Sequence, residues 1–137
     1  MQHAHPEQVS VYIGYDESRA HRLIAGADVI AVPSRFEPCG LTQLYGQRYG
    51  TLPIVRSVGG LADTVVDARP PLRADDTASG FAFEAATSAA FEGCVLRALA
   101  CWRNPNEWAQ LMHHVMALDR SWDGPAQQYL ALYARLV

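Results

Sequence analysis

The amino-acid sequence predicts an α/β fold, in which a partial, doubly wound parallel sheet is followed by carboxyl-terminal helices. Short apolar runs alternate with stretches of helical periodicity through the first half of the chain. The run from Asp28 to Val32 is almost continuously apolar, which is typical of a strand covered on both faces of a parallel sheet. Beyond Asp67 the apolar spacing becomes that of helices. Together these patterns predict βαβ units and then a helical tail.

Five elements are predicted in the first half. They are, in chain order, a strand at 9–13, a helix at 18–26, a strand at 28–32, a helix at 41–49 and a strand at 52–55. Ser18 is expected to cap the first helix and Gly26 to end it, because serine and glycine are favoured at those positions. The second helix carries its apolar residues on one face, and Gly50 stops that pattern.

The second half is predicted to be mostly helical. Residues 68–80, with two prolines and several charges, form a loop, and residues 80–83 form a last short strand. Apolar residues recur at helical spacing in three later segments, at 91–102, 108–115 and 129–137. Cys94 and Cys101 are seven positions apart on the first of these helical faces, so we expect both thiols in the core.

Composition restricts the classes of function. At 137 residues the chain fits one domain, and with 50% hydrophobic and 18% charged residues it can bury a core. The net charge of -3 provides no basic surface for nucleic acid or for acidic membranes. All 11 basic residues are arginines, which excludes a lysine-dependent phosphate loop and a lysine Schiff base within this chain.

The cellular compartment is predicted from cysteines and from the amino terminus. Three scattered cysteines form neither a zinc pattern nor a disulfide framework, so we expect a reducing compartment and no metal cofactor. The opening segment MQHAHPEQ lacks the features of a signal peptide, and no apolar run reaches the ~18 residues of a membrane span. The expectation is therefore a cytoplasmic protein without a membrane segment.

The junction SRFEPCGLTQ, residues 34–43, is the main candidate site. It lies where a predicted strand ends and a helix begins, and ligands of open α/β sheets bind beyond the carboxyl ends of strands. Backbone N–H groups around Cys39 to Thr42 would be the unpaired donors of a helix N-terminus, which bind anions. A phosphate repels a carboxylate, so Glu37 would face an uncharged, hydroxyl-rich part of the ligand. The pattern favours a phosphate ester of a sugar.

The spacing of these residues is also compatible with purely structural roles that involve no ligand. Glu37 would then complement the dipole of the following helix, with Pro38 at the first helical position. Gly59 and Gly60 either allow a close approach of backbone to the ligand or form a tight turn between strand and helix.

Several motifs resemble one family. IGYDE, SRFEPCGLTQLYGQRYGTLPIVRSVGGLADTV and SGFAFE are similar to the carboxyl-terminal domain of bacterial glycogen synthases and plant starch synthases, from about Val9 to the end. The resemblance implies a GT-B glycosyltransferase with two Rossmann domains. Residues 1–67 would be the second half of its nucleotide-sugar-binding Rossmann domain, 68–80 a loop, and 81–137 a short strand and the carboxyl-terminal helices of that domain. It also implies retaining transfer of glucose from ADP-glucose to the non-reducing end of an α-1,4-glucan, without a metal.

The resemblance implies roles for individual residues. Glu37 corresponds to the family glutamate that hydrogen-bonds the donor glucose near its 3-hydroxyl, and it is the catalytic candidate. Backbone N–H groups would bind the donor sugar and diphosphate at Cys39, Gly40, Leu41 and Thr42. Tyr15 would stack on adenine, and the backbone of Gly59 and Gly60 would lie near the donor. Tyr45 stands where related nucleotide-sugar transferases have a second glutamate, which favours the glycogen synthase branch.

Other parts of the family pattern have no counterpart here. They are a Lys-Thr-Gly-Gly-Leu loop, a catalytic histidine, and the arginine and lysine that hold the diphosphate. This chain has no lysine at all, so no residue could replace the two family lysines. We therefore expect a carboxyl-terminal piece of the enzyme that lacks its amino-terminal domain and is inactive alone. A sheet that begins at Val9 would have an unpaired apolar edge, so marginal stability or self-association is expected.

A second class of function stays open. The chain would then be a non-catalytic nucleotide- or glucan-binding module, or an assembly partner of a separately encoded amino-terminal half. No motif specifically favours this alternative. ADP binding that depends on Glu37 would favour the donor site, whereas glucan binding without ADP binding would favour the module.

Overall fold

The computed structural model describes residues 2–69, 71–72 and 77–136. Within these residues three parallel strands form one sheet in the order β1-β2-β3. The strands are β1 (Val29–Val32), β2 (Leu52–Arg56) and β3 (Phe81–Phe83). The helices of the described part are α1 (Glu17–Ala25), α2 (Thr42–Tyr49), α3 (Gly60–Thr64), α4 (Ser88–Trp102), α5 (Pro105–Ala117) and α6 (Asp123–Tyr133). The predicted α/β class, with a parallel sheet and carboxyl-terminal helices, is confirmed.

The central strand β2 determines the register of the sheet. Its first residue, Leu52, pairs with Val29 of β1, and Ile54 pairs with Phe81 of β3. Pro53 has no N–H to donate, and a Cβ on Gly80 would lie 2.7 Å from the ring of that proline. The absence of a side chain at Gly80 therefore lets the chain pass beside a buried proline.

The core lies mainly between one face of the sheet and helices α4 and α5. Its buried members include Leu52, Ile54, Phe81, Cys94, Ala98, Cys101, Trp108, Leu111 and Val115. A smaller cluster of Val55, Leu61 and Val65 lies against the other face, as strand alternation requires. The core position predicted for Cys94 and Cys101 is confirmed. Burial raises the pKa of the Cys94 thiol, and burial, together with the charge of Glu107, raises the pKa of Cys101 to about 11.

The strand predicted at 9–13 is wrong. These residues lie outside every strand of the described sheet, and Ile13 is 94% exposed. A short apolar run becomes a strand only where a neighbouring strand accepts its backbone hydrogen bonds, and no described strand pairs with this one. The edge strands of the described sheet are therefore β1 and β3, and self-association through an edge stays a prediction.

The N-cap predicted for the first helix is also wrong, because Asp16 rather than Ser18 caps α1. The backbone of Asp16 is extended, and its carboxylate accepts the N–H of Arg19 at 2.9 Å. Ser18 lies inside the first turn instead. Gly26 follows the last helical residue, as predicted, and its N–H donates to the carbonyl of Arg22 at 3.0 Å.

Part of the prediction falls on residues outside the described ranges. In the loop predicted at 68–80 these are Pro70 and residues 73–76, and at the ends of the chain they are Met1 and Val137. Among the helices that the structure describes, none combines the length and the apolar character needed to cross a bilayer.

Candidate functional site

The candidate site is built from two segments that follow adjacent strands. Residues 33–41 come after β1 and residues 57–59 come after β2, so both leave the same end of the parallel sheet. A Cβ on Gly59 would overlap the carbonyl oxygen of Glu37, and one on Gly60 would overlap that of Cys39. The N–H of Gly60 donates to the carbonyl of Glu37 at 3.2 Å. The two segments are thus in direct backbone contact, which only glycine permits at 59 and 60.

Glu37 lies half-buried at this contact. Its Oε2 accepts a hydrogen bond from the Ser34 hydroxyl at 3.2 Å, and no cation of the described residues forms an ion pair with it. Arg56, at the end of β2, donates from Nε to the carbonyl of Ser34 at 2.8 Å and from its terminal nitrogen to the carbonyl of Arg35. The sheet therefore holds the backbone that precedes Glu37 and leaves the carboxylate without a charged partner.

A row of unpaired backbone donors follows Glu37. Helix α2 begins at Thr42, with Leu41 as an N-cap that has no side-chain hydrogen bond. Within the described part of the chain, no acceptor is found for the N–H groups of Cys39, Gly40, Leu41 and Thr42. Pro38 precedes the helix by four residues, so the structural explanation that puts Pro38 at the first helical position is wrong.

The conformation of Gly40 carries the chain from the loop into α2. Its φ is +71°, in the left-handed region that favours glycine. A Cβ at this position would also lie 2.7 Å from the side-chain oxygen of Gln43. The left-handed φ in particular favours glycine at this turn.

Gln43 was not among the residues predicted from the sequence. It is fully buried, and its amide nitrogen lies 3.0 Å from the carbonyl of Gly40, 3.0 Å from the hydroxyl of Thr64 and 3.5 Å from the carbonyl of Cys39. The buried residues of α2 are Gln43, Gly46 and Gln47. The sequence contains a signal for this face, namely two glutamines and a small residue at spacing i, i+3 and i+4, although the apolar residues of the same helix point elsewhere.

Tyr15 lies apart from this loop. Its ring is 93% exposed and lines a cavity of about 260 Å³ with Tyr12, Arg19 and Leu23. The guanidinium of Arg19 stands 3.9 Å above the ring of Tyr12 in that cavity. The lining contains no residue of the 34–43 segment, so the structure does not bring Tyr15 and Glu37 into one cavity.

A larger cavity of about 520 Å³ borders α2. Leu41 and Tyr45 line it from the helix, together with Arg48 and with Arg120 from the segment between α5 and α6. Arg120 donates to the side-chain oxygen of Gln47 at 3.3 Å and to the carbonyl of Thr64 at 3.0 Å. Among the residues that the structure describes, no cluster of three or more His, Cys, Asp or Glu side chains could hold a metal ion.

Comparison of the sequence with known proteins identifies relatives of the chain. The family described as "Glycosyl transferases group 1" matches residues 1–111. Glycogen synthases of Serratia proteamaculans and of Haemophilus influenzae strain PittGG are 55% and 56% identical to the chain over 132 residues. These matches cover 96% of this chain and 28% of each relative, so the chain spans little more than a quarter of the length of these curated relatives.

Two solved structures that resemble this chain are also synthases, of starch and of sucrose phosphate. The catalytic domain of starch synthase IV from Arabidopsis thaliana is 39% identical, with a TM-score of 0.80 over 90% of this chain and 25% of that one. Sucrose-phosphate synthase from Thermosynechococcus elongatus is 26% identical, with a TM-score of 0.63 over 95% of this chain and 30% of that one. The predicted fold class and the predicted resemblance to glycogen and starch synthases are confirmed. Because the family match includes 111 of the 137 residues, the chain belongs to the glycosyl transferases group 1.

Proposed function

We propose that the segment from Glu37 to Thr42 binds ADP-glucose, as the donor site of a retaining glycogen synthase that lengthens an α-1,4-glucan at its non-reducing end. The observation that carries this proposal is the row of four N–H groups that have no acceptor among the described residues, beside a half-buried carboxylate, at the carboxyl end of β1. The names of the glycogen synthase relatives support the reaction. The Arabidopsis starch synthase domain is described as bound to ADP and acarbose, which supports the ligand class.

The charges of the site divide the ligand into two parts. Leu41 and Thr42 stand at the start of α2, where the helix dipole and free N–H groups favour an anion, so they bind the diphosphate. Glu37 would repel the diphosphate and instead accepts a hydrogen bond from a glucose hydroxyl. The N–H groups of Cys39 and Gly40 lie between these positions in the chain and donate to the sugar.

This division supports a mechanism for the transfer step. As the bond between the anomeric carbon of glucose and the diphosphate oxygen breaks, the 4-hydroxyl oxygen at the non-reducing end of the glucan bonds to that carbon, and its proton passes to the released diphosphate. Negative charge therefore develops on the departing oxygen before the proton arrives. Preorganised N–H dipoles at Leu41 and Thr42 stabilise the charge as it develops, and no metal ion is invoked. Glu37 holds the sugar so that its anomeric carbon stays aligned with the acceptor. The exposed ring of Tyr15 is available to stack on adenine.

We further propose that transfer requires groups that these 137 residues do not contain. The chain has no lysine, whereas a lysine holds the diphosphate in the family that it resembles. The amino-terminal domain of that family also supplies the acceptor loop and a histidine. The chain alone is therefore expected to bind the donor without transferring glucose.

Titration calorimetry with ADP and ADP-glucose tests the proposal. Glu37→Gln removes the charge and keeps the shape, and a hydrogen bond to a charged group contributes about 1.5–3 kcal/mol. We expect the affinity for ADP-glucose to fall roughly 10- to 100-fold, while the affinity for ADP does not fall, because the lost charge only repelled the diphosphate. Glu92→Gln, at an exposed position of α4, is the matched control and should change neither.

Two results would contradict the proposal. One is a wild-type chain that binds neither ADP nor ADP-glucose. The other is a chain that binds a glucan but not ADP, which would favour the non-catalytic module. Equal affinities of wild type and Glu37→Gln for ADP-glucose would remove Glu37 from the sugar site while keeping the nucleotide site.

A further inference from the structure

We propose that Gln43 is a positioning residue that turns the N–H groups of Gly40 and Leu41 outward, toward the diphosphate and sugar of the donor. The inference rests on the proposed function, because it assigns the orientation of the amides that bind that donor. It starts from the burial of Gln43, whose side chain is fully enclosed although it is polar. Burying an amide is costly unless it is hydrogen-bonded, so the partners of Gln43 indicate its role.

The amide of Gln43 is bonded to the loop that carries the candidate donors. Its nitrogen donates to the carbonyl of Gly40 at 3.0 Å and lies 3.5 Å from the carbonyl of Cys39. Both of these carbonyls are therefore directed at the buried side of α2. The closer of the two contacts is a good hydrogen bond, and the longer one is at the limit of the accepted distance.

The directions of these two carbonyls determine the directions of the N–H groups that follow them, those of Gly40 and Leu41. In a trans peptide the C=O and the following N–H point in opposite directions. With the carbonyl of Gly40 drawn inward by Gln43, the N–H of Leu41 must point away from the buried interior. The same relation holds, more weakly, for the carbonyl of Cys39 and the N–H of Gly40. A single side chain thus orients two neighbouring donors.

The second hydrogen of the same amide reaches the other segment of the site. Gln43 donates to the Thr64 hydroxyl at 3.0 Å, and that hydroxyl donates in turn to the carbonyl of Gly60 at 2.6 Å. Gly60 also donates its N–H to the carbonyl of Glu37 at 3.2 Å. The hydrogen bonds therefore lead from Gln43 to Thr64 and from Thr64 to Gly60. Because Gln43 also donates to Gly40, its nitrogen must carry two hydrogens. Of the uncharged side chains of this size, only an amide supplies them.

Gln47 provides a matched control one turn along the same helix. It is 1% exposed, and its amide nitrogen donates to the carbonyl of Thr64 at 3.3 Å and of Ser79 at 3.0 Å. Neither of these bonds reaches the loop at 39–41. Replacing Gln47 therefore removes a comparable pair of donated hydrogen bonds, and the bond accepted from Arg120, without releasing Cys39 or Gly40.

The test compares Gln43→Met with Gln47→Met in the same 137-residue chain. Methionine has a similar length and no hydrogen-bond donor. We expect both variants to lose comparable thermal stability, but ADP affinity to fall about tenfold or more only for Gln43→Met, measured by calorimetry well below both melting temperatures. In amide NMR spectra, Gln43→Met should shift Gly40 and Leu41, and Gln47→Met should not.

A second pair keeps the test decisive if Gln43→Met does not fold. Thr64→Ser retains the hydroxyl that accepts from Gln43 and should keep wild-type ADP affinity, whereas Thr64→Val removes it and should bind ADP more weakly. Equal ADP affinity for wild type, Gln43→Met and Thr64→Val would overturn the positioning role while leaving the nucleotide site in place. Absence of ADP binding by the wild-type chain would overturn the proposed function and the inference together.

Discussion

Replacing Gly60 by alanine perturbs the backbone contact on which the candidate site is built. The added Cβ would overlap the carbonyl oxygen of Cys39 and would lie 2.6 Å from its carbonyl carbon and 2.7 Å from its Cα. These are backbone atoms, so no side-chain rotation relieves the overlap. The two segments must separate, and the hydrogen bond from the Gly60 N–H to Glu37 is then lost.

The cost has two contributions. Overpacking of this kind costs about 1–3 kcal/mol, and a lost backbone hydrogen bond costs about 1 kcal/mol more. The free energy of unfolding should therefore fall by about 2–4 kcal/mol, which is a large part of the 5–15 kcal/mol typical of a domain. At roughly 4 °C per kcal/mol for a chain of this size, the melting temperature should fall by roughly 8–16 °C.

Thermal unfolding followed by circular dichroism measures this effect against a matched control. Gly93 lies in α4, and a Cβ built there meets nothing within 4 Å. The same substitution at that position should raise stability by about 0.5–1 kcal/mol, because alanine favours a helix interior over glycine. We therefore expect Gly60→Ala to lower the melting temperature and Gly93→Ala to raise it. A Gly60→Ala variant that melts at the wild-type temperature would refute the described contact between the two segments.

Two further predictions concern the cap of α1 and the thiols. Asp16→Ala should destabilise the chain by about 1 kcal/mol, while Ser18→Ala changes the melting temperature little; the reverse order would contradict the assigned cap. In the native chain a thiol reagent should modify the exposed Cys39 rapidly, and ADP-glucose should slow that reaction. Cys94 and Cys101 should react only after unfolding, since burial raises the pKa of both; a second fast native thiol would contradict this.

The elements that were predicted correctly are those that local pattern defines. The strands β1 and β2 lie within a residue of their predicted bounds, because a short apolar run between turn residues fits a doubly covered parallel strand. The structure pairs these two strands, as is usual in the predicted βαβ units, and this brings Glu37 beside Gly59 and Gly60. The strands are therefore predictable from local pattern, and the structure shows which segments meet at the end of the sheet.

The errors arise where the outcome depends on a distant partner or on competing neighbours. The apolar run at 9–13 has strand composition, but no described strand pairs with it. Asp16 and Ser18 are both good caps two residues apart, and the hydrogen bond to Arg19 decides between them. Leu41 is 59% exposed although it belongs to the apolar pattern of its helix, because the helix buries its polar face instead.

Gln43 shows most clearly what local pattern cannot predict. A glutamine at the start of a helix is ordinarily exposed, and the spacing of Gln43, Gly46 and Gln47 indicates a shared helix face without indicating that this face is buried. Its burial follows from the meeting of the loop at 39–40 with the end of α3 at Thr64. That meeting is a tertiary event, so the residue becomes visible only in the folded chain.

A structure of the chain bound to ADP-glucose would show whether the segment from Glu37 to Thr42 is the donor site. We expect the diphosphate within hydrogen-bond distance of the N–H groups of Leu41 and Thr42, and a glucose hydroxyl on the carboxylate of Glu37. A diphosphate bound elsewhere, with Glu37 directed away from the sugar, would contradict it.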